Sequence, residues 1–416
     1  MNLDFAQAMR QAARLTRETN LIEATQVIQR ALSGLRRAGP PPDPSPGSVQ
    51  LIAPPKVSAD PAERSRVETP RPESNLAPIA SRREDPPARA RRPLGESLKL
   101  LREAAHSGLA HRLPTNLRKP PPVPVPEGAV YLTRTHTCPA GIRDYKVYVP
   151  SNADGRTLPL IVMLHGCAQN PDDFAVGTGM NVLAEELGFI VAYPRQPPTA
   201  NPSACWNWFN PADQRRDQGE PSIIAGVTRA IMDEHRIDAG RVYVAGLSAG
   251  GAMAAVMSGA YPDLYAAAGI HSGLAHGSAT DVASAFAAMR GAPGPRLGVP
   301  AAGKSRVRTI VFHGASDKTV DPSNAEAILE RARAGVLGLA RERRDHGFAG
   351  GRAYRRTVIE DTSGTPHAEC WEIDGLGHAW SGGAAEGSYT DPRGPNASRE
   401  MLRFFLAAPV RPKRSE

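Results

Sequence analysis

From residue 128 onward, short runs of β-branched and aliphatic residues alternate with longer stretches in which apolar positions recur every three or four residues. The short runs predict strands over 130–133, 145–149, 160–164, 189–192, 241–245, 266–270, 309–312 and 370–373. The longer stretches predict helices over 180–187, 221–235, 249–259, 324–340 and 398–406. Such alternation, opened by two short strands, predicts an α/β domain: a mostly parallel central sheet flanked by helices. Sites in sheets of this kind lie beyond the carboxyl ends of the strands.

The first 127 residues follow other rules. Apolar positions at helical spacing predict a pair of helices over 2–17 and 20–34, the second capped by Asn20 with Glu23 three residues on and carrying Leu21, Ala24, Ile28, Leu32 and Leu35 on one face. A pair this short has little stability alone, so its apolar face is expected to pack on itself, on a partner or on a hydrophobic particle surface. Of the 40 prolines, 20 fall between Pro40 and Pro126, a segment with few aromatics that cannot bury enough apolar surface to fold. The expected organisation is therefore an amphipathic helical pair (1–35), a disordered Pro/Arg-rich linker (36–127) with one short helix near 96–105, a catalytic-size α/β domain (128–409) and a basic tail (410–416).

Charge follows the same division. Residues 1–128 hold 20 Lys+Arg against 13 Asp+Glu, and the remainder holds 30 against 29, so most of the net +8 belongs to the arm. A basic linker without excess charge on the folded part argues against a nucleic-acid partner. No apolar run reaches the length of a membrane span, and Asp4, Arg10, Arg14, Arg17 and Glu18 interrupt the place where a signal peptide keeps its apolar core. A cytoplasmic location is the expectation. The four cysteines, Cys138, Cys167, Cys205 and Cys370, have no metal spacing and no Gly-rich phosphate loop is present, so neither metal nor cofactor is expected.

Four predicted strand ends carry chemistry. Leu160–Leu164 runs into His165-Gly166-Cys167-Ala168-Gln169, and Tyr243-Val244-Ala245 runs into Gly246-Leu247-Ser248-Ala249-Gly250-Gly251. The strand at 309–312 ends in His313-Gly314-Ala315-Ser316-Asp317, and the last strand leads to Gly377-His378-Ala379-Trp380. A GxSxG between strand and helix is the context of a nucleophile elbow, and the order Ser, Asp, His is that of α/β-hydrolases. Ser248 is the candidate nucleophile, His378 its base and Asp317 the carboxylate that orients the base; Asp321 and Asp374 are rival acids. His165 and His313 are expected to bond loop backbone, and His235, His271, His346 and His367 to be surface or core residues. The oxyanion hole of this fold draws on backbone N–H groups, here Ala249 and Cys167. That leaves the Cys167 side chain either bonded to Cys205, stapling the long loop 194–217 in an oxidising compartment, or as one of two buried thiols. Trp206, Trp208 and Trp380 sit on loops expected to ring the pocket, where aromatics would bind an apolar or ring-bearing substrate.

Together with Cys205-Trp206-Asn207-Trp208-Phe209 and Gly377-His378-Ala379-Trp380-Ser381-Gly382-Gly383, these motifs make the chain from about Gly128 resemble the polyhydroxyalkanoate (PHB) depolymerase family of esterases. The resemblance implies a triad of Ser248, Asp317 and His378, oxyanion donors at Cys167 and Ala249, and an ester substrate of the poly(3-hydroxybutyrate) type, polymer or oligomer. Feruloyl and acetylxylan esterases share the superfamily and supply the alternative substrates. Secreted depolymerases of this type usually carry a signal peptide and a C-terminal polymer-binding domain, so the expectation is a cytoplasmic enzyme with residues 1–35 on storage granules, and an extracellular one as the family-based alternative. A non-catalytic granule-binding protein on a hydrolase scaffold is the alternative of another class.

Overall fold

The computed structural model describes residues 122–292, 307–335 and 341–407. The helical pair 1–35, nearly all of the linker and the tail 410–416 lie outside the described residues.

The elements in chain order are β1 (Val130–Cys138), β2 (Gly141–Val149), β3 (Leu158–Leu164), α1 (Pro171–Thr178), α2 (Met180–Leu187), β4 (Ile190–Pro194), a 3-10 turn (Pro211–Gln214), α3 (Gly219–Glu234), β5 (Ile237–Leu247), α4 (Ala249–Ala260), β6 (Ala267–His271), α5 (Val282–Met289), β7 (Arg308–Gly314), α6 (Ser323–Arg333), β8 (Arg341–Ala349), β9 (Arg352–Glu360), β10 (Pro366–Ile373), β11 (Trp380–Ser381), β12 (Thr390–Asp391) and α7 (Ala397–Leu406). Ten strands form one sheet in the order β1-β2-β4-β3-β5-β6-β7-β10-β9-β8. Its centre, β4 through β10, is parallel, while β1, β2, β9 and β8 pair antiparallel at the two sides. All eight strand expectations lie within or overlap these elements, and the sheet is the mostly parallel one expected.

The period-two alternation of β3 explains why the sheet needs helices on both faces. Leu160, Val162 and Leu164 join one cluster with Ile224 and Val227 of α3 and Met253 and Met257 of α4. Ile161 and Met163 join the other, with Phe174 of α1, Met180 and Leu183 of α2, and Met401, Phe404 and Phe405 of α7. Every residue of β3 is buried, and each large aliphatic or aromatic side chain withdrawn from water contributes roughly 1.5–3 kcal/mol. This two-sided burial holds the carboxyl ends of β3, β5, β6 and β7 in one row.

Two differences from expectation have physical reasons. The helix foreseen over 324–340 ends at Arg333, and residues 341–360, for which no element was expected, form the β8–β9 hairpin. The hairpin closes through Gly350 and Gly351, both at positive φ, as a tight two-residue turn requires. Across the ladder Asp345 stands opposite Arg356 in register and accepts from its Nη2 at 2.7 Å, while Val358 and Ile359 of β9 are fully buried. A strand written in arginines and acids carries no apolar alternation. Exposed Arg341, Arg343 and Arg344 also mark β8 as a guarded sheet edge.

Candidate active site

Ser248 stands between β5 and α4 with φ 56° and ψ −119°, a backbone conformation that side chains rarely occupy. The turn is possible because its neighbours lack side chains. A Cβ on Gly250 would lie 2.0 Å from the Leu164 carbonyl oxygen, and one on Gly246 would lie 2.4 Å from the Gly250 carbonyl. The Ser248 N–H donates to the His271 carbonyl at 2.9 Å, which fastens the turn to the end of β6.

The loop after β7 and the loop after β10 meet at the same edge. His378 Nδ1 donates to Asp317 Oδ2 at 2.7 Å, while Asp317 Oδ1 accepts the N–H groups of Thr319 and Val320 at 2.9 and 3.0 Å. The Asp317 side chain is fully buried. Burial alone would raise its pKa, but the hydrogen bond from His378, the positive charge that ring can carry and the Val320 N–H outweigh it and hold the carboxyl below its usual range. Of the rival acids, Asp321 accepts the Ser323 N–H at 3.0 Å just before α6, and Asp374 is exposed. The structure thus pairs His378 with Asp317.

The loop after β3 comes alongside. A Cβ on Gly166 would lie 3.7 Å from Ser248 Cβ. His165 is wholly buried; its Nε2 accepts the Gln196 N–H at 3.1 Å, which leaves Nδ1 to donate to the Gly166 carbonyl at 2.8 Å. Burial depresses its pKa to about 4, so it is a neutral strut. Cys167 is bonded to Cys205. Among the described residues no acceptor takes the Cys167 N–H, and Ala249 is the first residue of α4, so its N–H lacks an intrahelical acceptor. These are the two N–H groups expected to face an oxyanion.

Beneath the bonded loop, Glu220 accepts from Asn207 N and Nδ2 at 2.8 and 2.7 Å and from Gln196 Nε2, with Arg143 at 3.8 Å. Burial, reinforced by nearby Asp213, raises its pKa to about 7 against these donors. Gln196 Nε2 also donates to the Cys205 carbonyl at 2.9 Å, so this buried cluster positions both ends of the loop.

The tryptophans require a correction. Trp206 is 0% exposed and donates from Nε1 to the His165 carbonyl at 3.1 Å; Trp380 is 1% exposed, donates to Ser398 Oγ and packs on Phe174 and His271. Trp208 is 6% exposed, edge-on to Phe209. Loop aromatics here face inward because their indole N–H groups find buried acceptors, and Trp206 and Trp380 are frame rather than open substrate platform. His313 donates from Nε2 to the Val320 carbonyl at 2.9 Å, a backbone role as expected. His271, by contrast, is more than a bystander: its Nε2 accepts the Ser381 N–H at 3.0 Å while its carbonyl holds Ser248. Its place at a strand end, like that of His313, was the available signal.

A family model described as "Esterase PHB depolymerase" matches residues 143–337. Poly(3-hydroxyalkanoate) depolymerase C of Paucimonas lemoignei is 34% identical over 253 residues, 58% of this chain and 59% of that one. Feruloyl esterase B of Thermothelomyces thermophilus is 32% identical over 216 residues, 48% of this chain and 72% of that one. The chain belongs to this PHB-depolymerase family of carboxylic ester hydrolases. The solved acetyl xylan esterase of Aspergillus awamori shares its α/β-hydrolase fold, with TM-score 0.53 and 21% identity over 67% of this chain and 99% of that one. The match spans 59% of the length of the Paucimonas lemoignei relative, less than two thirds. The PHB-depolymerase match contains Cys167, Ser248 and Asp317, while His378 lies beyond it. Among the described residues no helix is long and apolar enough to cross a membrane.

Proposed function

We propose that this chain is a serine ester hydrolase acting through an acyl-enzyme on Ser248, with 3-hydroxyalkanoate polyester or its oligomers as substrate. The observation that carries the reading is the strained Ser248 turn on the same sheet edge as the buried His378–Asp317 hydrogen bond. His378 Nε2 takes the hydroxyl proton as Ser248 Oγ attacks the ester carbonyl, and Asp317 holds Nδ1–H and stabilises the imidazolium. The N–H groups of Cys167 and Ala249 receive the developing oxyanion, each donor worth roughly 3–4 kcal/mol of transition-state stabilisation. His378 then protonates the departing alcohol, and water, activated by the same ring, releases the acid. Ser248→Ala should abolish hydrolysis of short p-nitrophenyl acyl esters and labelling by a fluorophosphonate probe with the fold intact; retained activity would sink the assignment, and an unlabelled wild type would favour a non-catalytic scaffold.

The polyester substrate is supported by the 34% identity to the Paucimonas lemoignei depolymerase. Feruloyl or acetyl esters of plant polysaccharide form the second reading, supported by the 32% identity to feruloyl esterase B. Rates on hydroxybutyrate oligomers, methyl ferulate and acetylated xylan separate the two. The Cys167–Cys205 bond supports an oxidising, extracellular setting over the cytoplasm. Attachment to storage granules through residues 1–35 is tested by deleting them and measuring partition onto isolated granules.

A further inference from the structure

From His165 to Gln169, three backbone N–H groups and the His165 ring are committed. The Gly166 N–H donates to Gln169 Oε1 at 2.9 Å, the Ala168 N–H to the Ser203 carbonyl at 2.8 Å and the Gln169 N–H to the Gly166 carbonyl at 3.3 Å, while the His165 ring bonds on both sides. Among the described residues no acceptor takes the Cys167 N–H. The Gln169 side chain, 4% exposed, does more than close this turn. Its Nε2 donates to the Ser388 carbonyl and Asp173 Oδ2, each at 3.0 Å, with Ser388 Oγ at 3.2 Å. Those partners fix which end of the carboxamide is oxygen, since a carbonyl and a carboxylate only accept. Asp173 in turn accepts the Ser388 N–H at 2.9 Å and the Ser388 hydroxyl at 2.5 Å. Ser388 belongs to the segment that returns to His378: the Trp380 N–H donates to the Tyr389 carbonyl at 2.7 Å, and β11 pairs with β12.

We infer that Gln169 is a positioning residue for the esterase chemistry, bracing the turn that presents the Cys167 N–H against the segment that carries His378. The inference rests on the proposed acyl-enzyme mechanism. One carboxamide sets the separation of an oxyanion donor and the base, two groups that must both reach the reacting ester within a few tenths of an ångström. Its loss therefore lowers the rates of both acylation and deacylation, which use the same donor and base, rather than ground-state binding of a small ester.

The test uses the full chain with Gln169→Leu and Gln169→Asn, the latter keeping an amide about 1.5 Å too short to reach the Gly166 N–H. With a soluble p-nitrophenyl ester, kcat is expected to fall on the order of 10- to 100-fold in both variants. KM should stay within twofold, and affinity for a boronic acid that mimics the tetrahedral adduct should fall in parallel with kcat. If Gln169→Leu does not fold, Gln169→Asn carries the test alone. A kcat within twofold of wild type in the folded variant, or a change confined to KM, overturns the inference. Failure of the underlying mechanism is distinguished by wild type itself, which would then hydrolyse no ester and take no fluorophosphonate.

Discussion

His271 holds two loops with one residue: its carbonyl accepts the Ser248 N–H at 2.9 Å and its Nε2 accepts the Ser381 N–H at 3.0 Å. The ring is stacked between Phe312 and Trp380 and is fully buried. His271→Phe keeps the stack and the backbone bond but leaves a buried Ser381 N–H without an acceptor. The expected cost is about 1–3 kcal/mol of stability, read from chemical denaturation. An unchanged midpoint would mean that Ser381 finds another acceptor.

Buried histidines make stability depend on mild acid. Burial brings His165 and His276 to about 4 and depresses His271 and His313 as well. In the unfolded chain each binds a proton below about 6.5. Through these groups the unfolded state takes up more protons, each contributing a slope on the order of 1.4 kcal/mol per pH unit. Glu220, raised to about 7, works the other way, so the four histidines outweigh one carboxyl and stability falls as pH drops from about 6.5 toward 4. Urea unfolding at stepped pH should show this fall, and His165→Gln should make it shallower. A flat profile over that window would contradict the neutral, buried assignment.

Breaking the Cys167–Cys205 bond frees a loop of 38 residues. Chain entropy alone puts its contribution at about 4 kcal/mol. The Cys167→Ala/Cys205→Ala double variant should melt lower than wild type by several degrees and lose sensitivity to reductant. A wild type whose melting is unmoved by dithiothreitol, with both thiols shown to be free, would count against the bond.

The elbow glycines admit no side chain. Gly250→Ala would drive a Cβ to 2.0 Å from the Leu164 carbonyl oxygen, a backbone atom that cannot swing aside. The expected destabilisation is at least about 3 kcal/mol, or no folded protein at all. Gly155→Ala is the control, since its Cβ would meet nothing within 4 Å, although its φ of +69° still carries a cost of roughly 1 kcal/mol. Equal melting temperatures for the two variants would show that the crossing of β3 and α4 is looser than described.

Strands whose apolar residues face a helix layer were legible because burial demands that pattern, and β3, β5, β6 and β7 are the strongest cases. The β8–β9 hairpin was not, since β8 is built of arginines and acids that pair with β9 and only the end of β9, Val358 and Ile359, is fully buried. The short helices α1 and α5 escaped for a different reason: Gly177 interrupts one and the other buries only two alanines. At the site, the order of Ser248, Asp317 and His378 along the chain could be read from strand ends. The hydrogen bond that selects Asp317 over Asp321 could not, because it joins residues 61 apart. His271 and Gln169 act through partners 110 and 219 residues away, contacts with no local signature. The tryptophans show the converse, since an indole on a loop looks the same in sequence whichever way it turns.

The conformation of Ser248 has a further consequence. A residue with a side chain held at φ 56° and ψ −119° costs about 1–3 kcal/mol that glycine at the same place would not. The chain therefore gives up folding stability at the residue that stands where chemistry would occur, and Ser248→Gly should be the more stable and Ser248→Ala the equal of wild type. Position 248 is a place where the best sequence for folding and the best sequence for reacting are different sequences.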